Sequence, residues 1–174
     1  QPKPFLKRLH RRILDGLLGH IPPHPAAFGF TQNRNCIQAA ARHAGAQMVV
    51  SFDLADFFPA INFPRIYALF RALGYPAQTA RSLAGLTTAI TPNHILRTPN
   101  LAARDVLSNR HLPQGAPTSP ALANLCAQQL DRRLSGLARS LEAQYTRYAD
   151  DLSFSGDARI APILLRAVPQ IVAE

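Results

Sequence analysis

The feature that most constrains this chain is the segment "AQYTRYADDLSFSG", where Tyr145, Tyr148, Leu152 and Phe154 are β-forming residues on either side of an Ala-Asp turn. The pattern predicts two short antiparallel strands joined by a tight hairpin. A second run, "AQMVVSFD", is apolar and β-branched and stops short of Pro59, which predicts a buried strand over Met48 to Asp53 with Asp53 at its end. The other regular segments read as helices. Leu6, Leu9, Ile13, Leu14, Leu17 and Leu18 recur at three- and four-residue spacing, predicting an amphipathic helix from Phe5 to Leu18 that Gly19 closes. Shorter helices are predicted over Asn35 to Ala44, Phe63 to Leu73 and Pro76 to Ala89, with Gly74 separating the last two. Ser119 before Pro120 is a hydroxyl cap followed by proline at the first helical position, opening a helix to about Leu137. A final helix begins near Ala161. "IPPHPAAFGF" is a Pro- and Gly-broken loop, and the stretch from Ile90 to Pro113 reads as irregular.

Composition narrows the partners. The 174 residues, 47% of them hydrophobic, are enough for one sizeable core and too few for two large domains. Nineteen Lys and Arg against ten Asp and Glu give +9 at neutral pH, which favours an acidic polymer as partner. Lys7, Arg8, Arg11 and Arg12 gather on the polar face of the first helix, either as a solvated face or as a patch for phosphates. Cys36 and Cys126 stand ninety positions apart, and the six histidines do not join them at ligand spacing, so neither a disulfide framework nor a zinc site is expected. No apolar run is long enough for a membrane span, and a cytoplasmic location is the simplest expectation. Phosphate-loop, dinucleotide and nucleophile-elbow motifs are absent from the sequence.

In a basic chain with ten acidic residues, the placement of each is informative, and Asp53, Asp150 and Asp151 stand where a strand ends or a hairpin turns. Adjacent aspartates repel, raising one pKa unless a cation offsets the charge. Mg²⁺ suits such a place because it takes hard oxygen ligands and keeps waters and substrate phosphates in its shell. The dipeptide alone, however, reads more readily as a polar turn.

The longer strings decide between these readings. "YADD" within "YTRYADDLSFSG" resembles the catalytic hairpin of reverse transcriptases, "SFDLADFFPAI" resembles their first catalytic strand, and "LPQGAPTSPALANLCAQQLDRRL" resembles their template- and nucleotide-contacting loop and helix, all in the family's order. "LKRLHRRIL" and "HPAAFGFTQNRN" are similar to the bacterial retron type. The resemblance covers nearly the whole chain. It implies an α/β (α+β) polymerase palm, an antiparallel sheet backed by helices over residues 48–174, with partial helical fingers over 1–47 and no thumb. It implies RNA-directed DNA polymerisation with two Mg²⁺ ions, Mn²⁺ being an alternative, held by Asp53, Asp150, Asp151 and the carbonyl of Leu54. Asp56, Phe57, Phe58, Gln114 and Gly115 match nucleotide-binding positions, Phe58 being the aromatic ring that leaves no space for a ribose 2′-hydroxyl. Arg34, Asn124 and Tyr148 join Lys7, Arg8, Arg11 and Arg12 as contacts to template or primer, with a cap or surface role open for Asn124 and a core role for Tyr148. The partners implied are dNTPs, an RNA template, an RNA or DNA primer, a structured non-coding RNA and an effector protein, with a role in phage defence.

The same resemblance would place a further fingers segment before Gln1 and a primer grip and thumb after Glu174, so the chain is expected to be a palm-plus-partial-fingers piece of a longer polymerase. Its sheet edge is then a pairing hazard. Two other readings carry the same residues: an inactive palm that holds RNA, and a defence-associated or intron-type reverse transcriptase. Retention of the carboxylates argues against the first.

Overall fold

The computed structural model describes residues 3–92, 96 and 106–173, so much of the segment expected to be irregular between Ile90 and Pro113 lies outside the described residues. The chain divides into two compact units, Gln1–Pro22 with Asp56–Cys126 and Pro23–Ala55 with Ala127–Glu174. This division by contact is distinct from the functional ranges 1–47 and 48–174 drawn from the sequence. Among the described residues no helix is long and apolar enough to cross a membrane.

The second unit is built on an antiparallel sheet. Strands β1 (Met48–Asp53), β2 (Gln144–Tyr148) and β3 (Asp151–Gly156) lie in the order β1-β3-β2. The two-residue connection Ala149-Asp150 makes β2 and β3 a hairpin, as their alternating β-formers predict. One face carries Val50, Phe52, Tyr145, Arg147, Leu152 and Phe154, since direct cross-strand partners share a face. Phe154, fully buried at its centre, meets the Phe52 ring edge-on at 6.0 Å and the Tyr145 ring at 4.8 Å. Burying one such ring contributes about 1.5–3 kcal/mol. Helices α7 (Gln128–Ser140) and α8 (Ile160–Ala173) pack on each other, with α7 on β2 and α8 on β1. The opposite face presents Val49, Ser51, Asp53, Asp151, Ser153 and Tyr148. Helix α2 (Cys36–Ala41), closed at its start by an Asn35–Gln38 capping box, packs against β2.

The strand expected to be buried over Met48 to Asp53 has those bounds, but β1 is an edge strand that alternates between half-buried and exposed residues. Its apolar run is divided between the two faces, which leaves Val49 52% exposed. The edge of β2 is covered instead: Arg147 N–H donates to the Ala26 carbonyl and Phe28 N–H to the Arg147 carbonyl, both at 2.8 Å. Part of the segment expected to be only loop is thus a fourth extended piece beside the hairpin.

The first unit is helical. Helix α1 (Pro4–Gly16) is followed by one 3₁₀ turn over Leu18–His20, because Leu17 leaves helical geometry before Gly19 is reached. Its inner face includes buried His10, whose Nε2 is 2.8 Å from the Leu86 carbonyl. Helices α3 (Phe57–Ala60), α4 (Phe63–Ala72) and α5 (Ala77–Thr87) follow, α4 being capped by the Asn62 side chain on Arg65 N–H. The α4–α5 pair closes over Ile66, Phe70, Ala80 and Ala84. The single helix expected over Ser119 to Leu137 is two, α6 (Ser119–Cys126) and α7, separated at Ala127, whose ψ of −2° departs from the helical value. The stripe expected to be continuous serves two cores: Leu122 and Leu125 are buried in the first unit, Leu134 and Ala138 in the second. The Ser119 hydroxyl donates to the Pro113 carbonyl at 2.7 Å, shaping the preceding loop.

Candidate active site

Register brings the carboxylates of the second unit together. Asp53 ends β1, Asp151 opens β3, and the two are direct cross-strand partners on one face. Opposed Cβ atoms in such a pair are about 4.5–5.5 Å apart. Asp150 fills the turn between, and its carbonyl accepts the Leu54 N–H at 3.1 Å, tying the residue after β1 to the hairpin. Asp53 and Asp151 are exposed and Asp150 is half-buried. Burial first, then the charges of Asp150 and Asp53, raise the Asp151 carboxyl above the usual carboxylate range. Three acidic residues within electrostatic reach of one another form a cation-seeking site of hard oxygen donors. Among the described residues no three His, Cys, Asp or Glu side chains are arranged to hold a metal ion as they stand. The donor type and register fit a divalent ion of the Mg²⁺ class.

The turn itself is strained. Ala149 has φ 59°, a left-handed conformation that costs a non-glycine residue on the order of 1–3 kcal/mol. Gly29 lies against it so closely that a Cβ there would stand 2.3 Å from the Ala149 nitrogen. Two buried networks hold the hairpin. On the packed face, Arg147 Nε and Nη2 donate to the two carboxylate oxygens of Asp131 on α7 at 2.8 and 2.7 Å, and the Tyr145 hydroxyl donates to Asp131 at 2.9 Å. Burial and the Asp131 charge keep that hydroxyl protonated far above its ordinary range. On the carboxylate face, at the far end of the strands, His43 bridges the Ser155 and Thr146 hydroxyls at 2.7 Å each. Burial pushes the His43 pKa down, favouring the neutral ring.

Tyr148 pairs with Asp151 and is 39% exposed on the same face, so it lies beside the carboxylates rather than in the core. Arg34 is exposed and braces the loop before α2. Its guanidinium donates to the Pro25 carbonyl and, at 3.1 Å, to the Ala27 carbonyl, and lies 4.8 Å over the Phe28 ring. These contacts, made through Nη1 and the guanidinium face, shape the loop that covers β2.

In the first unit, Asp56 has φ 50° and precedes the short helix α3. Phe57 is buried, while Phe58 is half-buried and meets it edge-on at 5.5 Å. Gln114 and Gly115 are exposed in the turn before α6, and Gly115 has φ 85°, which only glycine adopts without cost. Asn124 is 2% exposed within α6, which sets aside the surface role left open for it. Lys7, Arg8, Arg11 and Arg12 are all exposed on α1, the face opposite buried His10 and Ile13.

Arg147, Asp131, His43 and Gly29 are absent from the expectations drawn from sequence. A signal existed for the first two: Asp131 lies on the α7 stripe with Leu134 and Ala138, and Arg147 alternates with Tyr145 on the packed strand face. A carboxylate and a cation at apolar positions imply that they meet. No local signal marked the Gly29 approach to Ala149.

The whole chain agrees with one family: residues 2–173 match the family described as reverse transcriptase (RNA-dependent DNA polymerase). The chain is 44% identical over 167 residues to the retron Mx65 reverse transcriptase of Myxococcus xanthus, covering 96% of this chain and 39% of that protein. It is 42% identical over 154 residues to the retron Mx162 reverse transcriptase of the same organism, covering 88% of this chain and 32% of the relative. Identity to the Escherichia coli retron Ec86 reverse transcriptase is 35% over 158 residues, 91% of this chain and 43% of that one. The chain thus spans well under half the length of these relatives, and with a sheet that pairs Asp53 with Asp151 and a family match across nearly every residue, it belongs to the reverse transcriptase family.

Proposed function

We propose that the chain carries the catalytic centre of an RNA-directed DNA polymerase of the retron type, adding dNTPs to a primer 3′-hydroxyl on an RNA template. The observation that carries this reading is the direct pairing of Asp53 with Asp151 beside Asp150 on an accessible sheet face. Residues 48–174 act as the palm and 1–47 as part of the fingers. Two Mg²⁺ ions, or Mn²⁺ in their place, would be held by Asp53, Asp150, Asp151 and the Leu54 carbonyl, supplying activation of the 3′-hydroxyl and charge compensation for the leaving pyrophosphate. The side chains orient the reactants around that centre. Tyr148, exposed next to Asp151, offers a ring to the primer end. Phe58 excludes a ribose 2′-hydroxyl, while the backbone N–H groups after Asp56 and the Gln114–Gly115 turn receive the nucleotide. Lys7, Arg8, Arg11 and Arg12 contribute phosphate affinity without sequence choice.

The names of the relatives support the retron type. On that reading the template and primer come from a structured non-coding RNA, the product is a branched RNA–DNA molecule, and the protein works in the cytoplasm with an effector in phage defence. Primer extension on an RNA template with dNTPs and Mg²⁺ tests the activity. Extension by the parent and its loss in the Asp150→Ala, Asp151→Ala double variant is the expected result. A folded parent that binds RNA yet extends no primer, even with its neighbouring non-coding RNA, would overturn the reading in favour of an RNA-holding palm.

A further inference from the structure

Arg147 and Asp131 are both 0% exposed, deep in the second unit, and neither touches substrate in the reading above. A buried ion pair of this kind is no better for stability than well-packed apolar residues of the same volume, so its place in the core calls for another account. The third arm of the guanidinium supplies one. While Nε and Nη2 hold Asp131, Nη1 donates at 2.9 Å to the carbonyl of Ala149, the left-handed residue that immediately precedes Asp150. Arg147 cannot slide to relax this contact, because its own backbone N–H and carbonyl are both committed to Ala26 and Phe28. Asp131 in turn is fixed on α7 and receives the Tyr145 hydroxyl.

We propose that Asp131 and Arg147 are positioning residues, a rigid strut from helix α7 to the Ala149 carbonyl that sets the turn and thereby the placement of Asp150 and Asp151. The geometry stands by itself; its catalytic consequence rests on the polymerase reading. Arginine is required because its planar fork presents separate donors to the carboxylate and to the carbonyl, whereas a lysine ammonium is a single point that cannot span both. A displacement of about 1 Å at reacting groups costs about 10²-fold in rate, which sets the size of effect expected from loosening the turn.

The test uses the full chain in two variants, Arg147→Lys, and Asp131→Leu with Arg147→Met, the second replacing the pair by apolar residues so that no charge is left buried alone. Amide hydrogen exchange over residues 148–152 reads the turn directly, and steady-state primer extension reads its consequence. The strut predicts cooperative melting in at least one variant, turn exchange at least tenfold faster with β1 unchanged, and kcat lowered about 10²-fold with the nucleotide KM within twofold of the parent. A folded variant with parental turn exchange overturns the proposal, as does one with a loosened turn but kcat within twofold. Failure of both variants to melt cooperatively would make the pair a folding element and also overturn it. A parent that extends no primer contradicts the polymerase reading alone, and the exchange measurement still decides the strut.

Discussion

At the scale of single residues, the site depends on contacts that leave no room for change. Gly29 shows this most sharply, since its missing Cβ is what allows the covering segment to lie against the Ala149 nitrogen. Gly29→Ala is expected to destabilise the protein by about 1–3 kcal/mol, the cost of overpacking a rigid contact, and to lower extension further than that loss explains. Thermal melting and extension rates measured together check it; a variant with parental melting and rate would show that the contact relaxes freely. The carboxylates were legible in sequence because they stand out in a basic chain and interrupt β-forming runs. The burial of Asn124 was not legible, since a residue type suited to nucleic acid says nothing about whether a helix core encloses it.

Among the elements, the hairpin follows from its β-formers around a tight turn and β1 from an apolar, β-branched run, and β1 has the bounds read from the sequence. What such runs leave open is which strand is an edge: β1 borders β3 on one side only, and its side chains alternate between a half-buried and an exposed face. The break between α6 and α7 was hidden for a related reason: one apolar stripe continues through Ala127, and its assignment to two cores is a tertiary fact. The pin from His43, just past α2, to both strands of the hairpin carries a pH dependence. Burial holds its folded pKa below the ordinary 6.5. Between those two values the unfolded chain binds a proton that the folded chain does not, so stability falls as pH drops below about 6.5 and is flat above it. Half-buried His24, also lowered chiefly by burial, adds in the same direction. Melting temperature is expected to fall between pH 7.5 and pH 5, and less steeply in His43→Gln; an equal slope in the variant would assign the effect elsewhere.

For the whole molecule, the charge of +9 and the exposed cluster on α1 set how the protein meets nucleic acid. If Lys7, Arg8, Arg11 and Arg12 each neutralise one phosphate, changing all four to Gln reduces the slope of log affinity against log salt by about 3, uniformly across RNA sequences. Binding measured between 50 and 200 mM salt checks this, and an unchanged slope would return the patch to a solvated helix face. In the polymerase reading, a strand and a hairpin distant in sequence form one catalytic centre. A double-variant cycle with Asp53→Asn and Asp151→Asn tests this, because residues acting as a unit lose nearly everything with either change. In single-turnover extension at saturating primer and template, each single variant is predicted to lose at least about 10³-fold and the double variant hardly more. Losses that multiply, or an Asp53→Asn variant within tenfold of the parent, would contradict the claim.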